Sequence, residues 1–442
     1  MKKRWLAALL ALALLLPGAD VWAAGKGKIP DVLRFTQKTE TEKIKSSVTV
    51  KRTYPHTANK QVDREMRELI DQMAADGQEK LPKKDAYLDV GATIFRTGDR
   101  YMSFLTVSRI VTAKKQIWAD CASRVYDMET GKQAQLSDLF PEDSPAWALL
   151  ENEARRQIED YFSGEAPDEE KLNALCTKEA IRQAGFTLSP GKLSLHYRAG
   201  QVYEGKFTLM HVDVYYPVLR EYMTDLARAM TDVSGYKLIA LTYDDGPARG
   251  LSMSVMNHLR LKGAVATFFL VGSQMKDNDD VICRQHDAGH TVASHNYRHT
   301  YEDVTRKNAA KWREQFDRRL NALVGRRAEI MRAPGGNARA FIDADVGLPL
   351  IQWSNAADDA PYGNRTGSQI SQTVNNQTVD GAVLLMHDMN KHSPEYTESL
   401  LNTLESRNFL CVTVQEMFSI YGVELEPNKA YTGCDKLAKQ AK

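Results

Sequence analysis

The apolar run of residues 237–243, KLIALTY, ends in two adjacent carboxylates, Asp244 and Asp245, followed by Gly246 and Pro247. Two charges at the end of a buried strand cost stability unless they are paired or hold a cation. Neighbouring strand residues point to opposite faces, so the two carboxylates are expected to have different tasks, and Gly246-Pro247 turns the chain there. Taken alone, the tetrapeptide is as readily an ordinary turn. A second constellation, SHNYRH at 294–299, follows the strand-like 291–293 and sets His295 and His299 four residues apart. On one side of a helical turn such a pair can grip a single ion. A histidine pair at this spacing is usually structural, but its place after a strand favours a ligand pair. With Asp245 it makes a two-histidine, one-carboxylate set that leaves positions open for water and substrate. Zinc suits these ligands, and so do cobalt, iron and nickel. Three further strand ends add RAPGG at 332–336, WSNAADD at 353–359 and LLMHD at 384–388. Each is unremarkable by itself; their recurrence at the same end of successive strands argues for a shared site.

The elements that must position these groups lie after residue 233. Apolar runs at 236–243, 264–271, 291–294, 329–332, 349–353, 382–386 and 409–414 alternate with helical stretches at 251–262, 279–288, 307–323, 367–377 and 396–406. Runs buried on both sides read as parallel strands in βα units, and about seven of them predict an incomplete, distorted (β/α) barrel. The first half reads as a smaller α+β domain. Strands are expected at 47–54, 86–97, 101–111, 186–197 and 205–215, helices at 61–75, 146–162 and 169–184, and a hairpin at Gly98-Asp99. Its histidines, His56, His196 and His211, stand apart in the sequence and read as surface or satisfied core residues rather than catalysts.

Residues 1–23 carry three basic residues, an apolar run at 6–16 and a small-residue site ending at Ala23, which predicts a cleaved secretory signal. The run is short of the ~20 residues that span a bilayer, and no later stretch spans, so an extracytoplasmic product is expected. The formal charge of +1 falls to −1 when Lys2, Lys3, Arg4 and Asp20 leave with that segment. Acidic and basic residues are interspersed, which gives no footprint for nucleic acid. Five cysteines in an oxidising compartment predict disulfides with one thiol left over. Cys411 begins the last strand and Cys434 sits in a polar tail at 426–442, so a Cys411–Cys434 bond would tie the tail down. Cys121–Cys176 would staple the first half, and Cys283 stays a buried free thiol.

In order, TYDDGP, SHNYRH, RAPGG, the 353–359 stretch and LLMHD resemble the five motifs of the polysaccharide deacetylases of carbohydrate esterase family 4. The resemblance covers about 190 residues, and its first two motifs are the most specific. It implies that Asp244 is the catalytic base, that Asp245, His295 and His299 hold a divalent metal, and that His387 is the general acid. Arg332 would orient the base and Asp359 would orient His387, while Gly335 and Leu385 would face the oxyanion and substrate. The implied reaction is removal of N-acetyl groups from a β-linked N-acetylglucosamine polymer, peptidoglycan first. Chitin, an exopolysaccharide or O-acetylated xylan are alternatives within the family, and a catalytically decayed wall-binding or ligand-sensing protein is the alternative outside it. The family commonly has an aromatic where Gly335 stands, a tryptophan where Ala360 stands and an aspartate where Ala356 stands. Loss of aromatic walls along the substrate groove is therefore expected. The first half resembles, loosely, the accessory domain that precedes the catalytic domain in some bacterial cell-wall deacetylases, on phrases such as YDMETGKQAQLSDLF. The expected division is 24–233 for that domain, 234–425 for the barrel and 426–442 for the tail.

Overall fold

The computed structural model describes residues 28–360 and 365–440, so the expected leader lies outside the described residues. The first half is built on a six-stranded sheet: β1 (Phe35–Lys45), β2 (Val48–Thr57), β3 (Ala86–Thr97), β4 (Tyr101–Thr112), β5 (Lys115–Asp127) and the short β6 (Gln133–Ala134). Helix α1 (Lys60–Gln78) is the crossover that sets β3 parallel to β2; the other pairs are antiparallel. The Asn59 side chain accepts bonds from the amides of Gln61 and Val62 and starts α1, whose Val62, Met66, Ile70 and Met73 are buried at helical spacing. The expected hairpin joins β3 to β4 with Thr97 opposite Tyr101. Strand β1, FTQKTETEKIK, escaped the sequence reading because it is nearly all exposed and has no apolar face to reveal it.

Helix α2 (Ala146–Glu159) precedes α3 (Glu169–Leu175) and α4 (Lys178–Gln183), two helices where one was expected. The break falls at Thr177, whose side chain caps α4 by accepting from the amide of Ala180. The expected strand at 186–197 likewise divides into β7 (Phe186–Leu188) and β8 (Lys192–Arg198), which form a small antiparallel sheet with β9 (Leu209–Tyr215). Short helices α5 (Tyr216–Leu219) and α6 (Asp225–Met230) lead to the second half.

There β10 (Lys237–Asp244), α7 (Arg249–Lys262), β11 (Thr267–Leu270), α8 (Asp279–Asp287), β12 (Thr291–Ser294), α9 (Arg306–Val324) and α10 (Ala338–Asp343) follow in turn. Next come β13 (Leu350–Ile351), β14 (Asn355–Ala356), α11 (Gly367–Asn376), β15 (Ala382–His387), α12 (Ser393–Ser406), β16 (Phe409–Val412) and α13 (Val414–Ile420). The chain ends in β17 (Ala430–Tyr431) and α14 (Asp435–Gln440). All pairings in this half are parallel, in the order β12-β11-β10-β15-β14, with β16 beside the first half of β10. Met331 bridges Ser294 on one side and Leu350 on the other, and the run that starts as β13 ends as β14 against β15. The sheet thus curls round through isolated bridges rather than full ladders, which makes a distorted (β/α) barrel.

Alternate residues of β10 enter two different cores, as the strand period requires. Ile239, Leu241 and Tyr243 pack with Val255, Leu259, Phe316 and Leu404 of the helices. Leu238 and Ala240 join Phe269, Ala293, Val383 and Val412 in a cluster that continues into Met66, Ile94, Met102 and Tyr126 of the first half. Polar clasps reinforce that contact. Buried Asp287 accepts from Thr208, the Leu209 amide and Gln116, and Arg96 donates to the carbonyls of Leu33 and Lys262.

The cysteine expectation is corrected. All five cysteines are free, so neither Cys121–Cys176 nor Cys411–Cys434 forms; Cys283 is buried. Cys411 packs with the Ile239 cluster and Cys434 lies in the Leu238 cluster, and Ile239 and Leu238 face opposite ways along one strand. Cys121 and Cys176 also belong to different clusters. The tail is docked without a bridge: β17 pairs with β13, and the amide of fully buried Cys434 donates to Gly381 O.

Candidate active site

Thr242 and Asp244 share the strand face of Leu238 and Ala240, inside the curl. Alternation alone would send Asp245 the other way. Asp245 instead has φ +69°, a left-handed conformation that costs a residue with a Cβ about 1–3 kcal/mol. Both carboxylates then approach one imidazole: His295 Nε2 is 3.3 Å from Asp245 Oδ1 and 3.7 Å from Asp244 Oδ2. His299 Nε2 lies 3.0 Å from the same Asp245 Oδ1. The expected helical turn is absent between the histidines. They are carried by a loop in which Asn296 (φ +65°) and His299 (φ +52°) are left-handed, with the Asn296 side chain donating to Thr300 O and accepting from the Tyr297 amide. Convergence is reached by a different local structure from the one the spacing implied.

The donor set fits a cation. Asp245 Oδ1 is buried and makes no hydrogen bond, although two imidazole nitrogens stand beside it. Burial opposes the Asp245 charge, yet the nearness of His295 and His299 outweighs it and holds the carboxyl well below the usual carboxylate range. His295 Nδ1 donates to Arg332 O at 2.9 Å, which orients the ring with Nε2 turned to the trio. Asp245, His295 and His299 form one of two groups among the described residues with metal-ligand spacing. The other, His211, His286 and Asp287, is already saturated: His211 bonds His196 and the His286 carbonyl, and His286 and three first-half donors bond Asp287. Thr187, His196, His211 and the His286 carbonyl make a self-satisfied chain of neutral rings, so these histidines are buried structural residues.

On one side of the trio, the fully buried Arg332 gives Nη1 to Asp244 Oδ1 at 2.8 Å, leaving Asp244 Oδ2 toward His295. On the other, His387 Nδ1 donates to Asp359 Oδ1 at 2.9 Å, and Asp359 Oδ2 accepts from the His387 amide and Tyr396. His387 Nε2 points back to within 4.0 Å of Asp245 Oδ2. Burial pulls the imidazole pKa down, but the Asp359 bond and the charges of Asp359, Asp244 and Asp245 push it up to about 9. Leu385, half-buried, lies two residues before His387 on the same face of β15. Gly335 sits in a tight turn at 334–336 beyond Arg332, with φ +61°.

Asp388 was overlooked in the motif it belongs to. It is completely buried, bonded to Ser252, and pressed so closely under Gly246 that a Cβ there would stand 2.5 Å from Asp388 Oδ1. Burial pushes its carboxyl up to about 7, with Ser252 opposing and Asp245 assisting. A charged residue at a strand end was the available signal, the same one that singled out Asp244 and Asp245.

Comparison with known proteins gives this geometry its context. Residues 232–346 match the polysaccharide deacetylase family model. The peptidoglycan-N-acetylglucosamine deacetylase PgdA of Listeria monocytogenes is 26% identical over 328 residues, covering 73% of this chain and 68% of its own. A bifunctional xylanase/deacetylase of Pseudobutyrivibrio xylanivorans is 32% identical over 207 residues, 46% of this chain and 33% of that one. The peptidoglycan-N-acetylmuramic acid deacetylase PdaC of Bacillus subtilis is 26% identical over 184 residues, 41% and 38% of the two chains. Residues 232–346 carry a polysaccharide deacetylase domain, and the comparisons support a hydrolytic deacetylase.

Proposed function

We propose that the chain removes N-acetyl groups from a β-linked N-acetylglucosamine polymer, peptidoglycan first, with one divalent cation held by Asp245, His295 and His299. The observation that carries this reading is the convergence of an unbonded buried carboxylate oxygen and two Nε2 atoms. They lie between an arginine-held carboxylate and a carboxylate-held imidazole. Zinc is the proposed ion, with cobalt, nickel and iron compatible with the same ligands. Such an ion polarises the acetyl carbonyl and makes water more acidic.

The chain's own groups supply the rest. Asp244, its Oδ1 engaged by Arg332, keeps Oδ2 free to take a proton from the attacking water. His387, protonated at neutral pH, holds Nε2–H toward the trio to protonate the departing sugar amine. Asp359 orients that ring. The backbone near Gly335 is proposed to meet the oxyanion, and Leu385 to line the acetyl site. The family match ends at residue 346, so the roles of Asp359 and His387 rest on this geometry.

The preference for peptidoglycan draws support from PgdA and PdaC, which are named for that polymer, and from the leader expected at 1–23, which would deliver the chain outside the cytoplasm. No helix among the described residues is long and apolar enough to cross a membrane. The match to PgdA is longer than the chain from 232 to its end and so reaches into 24–233, the proposed accessory domain, with 234–425 proposed as catalytic and 426–442 as the tail. The test is acetate release by the zinc-loaded chain from peptidoglycan, chitin oligomers and acetylated xylan in parallel. Release from xylan alone would overturn the N-acetylglucosamine assignment.

A further inference from the structure

Gly335 and Gly336 are both left-handed, with φ +61° and +72°, and each lies under an aromatic ring. A Cβ on Gly335 would stand 3.2 Å from Tyr301 Cδ1, and one on Gly336 would stand 2.9 Å from Trp353 Cη2. The two rings differ in surroundings. Trp353 is half-buried, packs against the inner core and lies 5.8 Å from the Arg332 guanidinium carbon. Tyr301 is 50% exposed, one of the few large apolar side chains left in solvent among the described residues. A single exposed tyrosine is ordinary. This one stands two residues beyond His299, and its backbone is fixed on both flanks. Asn296 donates to Thr300 O at 3.0 Å, and Asn337, after the 334–336 turn, donates to Tyr301 O at 3.5 Å. The backbone at 300–301 is tied on both sides, and the ring lies in the space that a larger residue at 335 would fill.

We propose that Tyr301 is a specificity-determining residue that stacks on a sugar ring beside the one being deacetylated. It would offer, from the loop after His299, an exposed aromatic face beside the Gly335 turn. A tyrosine ring offers a flat apolar face at little conformational cost and keeps its hydroxyl in water, which suits the C–H face of a pyranose. The assignment rests on the reading of the substrate as an N-acetylglucosamine polymer.

The test compares the parent chain, Tyr301→Ala and Tyr301→Phe, all zinc-loaded, on a β-1,4-linked N-acetylglucosamine tetramer and on 4-nitrophenyl acetate. Calorimetric binding of the tetramer is measured in an Asp244→Asn background. Tyr301→Ala is expected to raise KM for the tetramer and weaken its binding by about ten-fold, the scale of one aromatic stack. Aryl acetate turnover and zinc content should not change, and Tyr301→Phe should behave as the parent. Unchanged tetramer binding in Tyr301→Ala overturns the assignment. So does a parallel fall in zinc content and aryl acetate turnover, which would mean that Tyr301 merely props the His299 loop. A parent chain that neither binds nor turns over the tetramer overturns both this assignment and the substrate reading beneath it. Parental binding that survives Tyr301→Ala overturns this assignment alone.

Discussion

Replacing Arg332 with methionine tests how the site is held together. The guanidinium is fully buried and fully employed: Nη1 reaches Asp244 Oδ1 and Thr242 Oγ1 at 2.8 Å each, Nε reaches Ile351 O at 2.9 Å and Nη2 reaches Gln352 O at 3.0 Å. The Phe269 ring lies 4.3 Å from its central carbon. Methionine fills much of the same volume, so the loss is electrostatic. A buried carboxylate is stranded, and two strand-end carbonyls lose their donor. Removing one partner of a buried pair costs about 3–5 kcal/mol. Asp244→Asn alone strands the arginine instead. The double variant strands neither charge and should recover part of the loss, with a coupling of about 1–3 kcal/mol. Urea unfolding of the metal-free chains measures this, with the slope against urea checked to be constant. The reasoning fails if Arg332→Met costs less than about 1 kcal/mol, or if adding Asp244→Asn to it gives no recovery.

Further outcomes follow from the same geometry. Asp245→Ala, His295→Ala and His299→Ala should lose the bound metal, measured by elemental analysis, whereas Asp244→Asn should keep it and lose about 10²–10⁴ in rate; the reverse pattern would exchange the roles assigned to the two carboxylates. Asp359 favours the protonated form of His387, so Asp359→Asn should lower that pKa and move the alkaline limb of the pH–rate curve to lower pH; an unmoved limb removes Asp359 from the acid's control. Burial holds the His196 pKa down at about 3 and that of His211 well below its ordinary value, so below pH ~6.5 the unfolded chain takes up protons that the folded chain refuses. Stability should therefore fall as pH drops from ~6.5 toward 3, by at most about 1.4 kcal/mol per pH unit for each histidine, and His196→Gln should flatten the slope of urea midpoint against pH.

What could be read in advance followed from chain-local signals. The long strands β10 and β15 announce themselves as apolar runs, and the reactive residues cluster where those runs stop because a buried strand tolerates charge only at its end. The stretches at 329–332 and 349–353 were expected as strands of similar standing, but the first contributes one bridging residue and the second two. Hydrophobicity records burial, not whether a ladder forms. The loop form of 295–299 was hidden because i, i+4 spacing is compatible with several backbones, and only the left-handed Asn296 and His299 distinguish them. The cysteines were misjudged for a related reason. Distance along the chain does not say which face of β16 carries Cys411, and the face decides what it can reach. The meeting of His196 and His211 with His286 joins residues from both halves, and no local pattern anticipates it.

The central claim is that a cation held by Asp245, His295 and His299 serves acetyl-group hydrolysis on a glycan. The most direct measurement is acetate release from an N-acetylglucosamine polymer by the chelator-stripped chain as zinc is added back, with His295→Ala alongside. The account predicts no release from the stripped chain, recovery that saturates at one zinc per chain, and no recovery in the variant. Undiminished release from the stripped chain, or full recovery by His295→Ala, would contradict it.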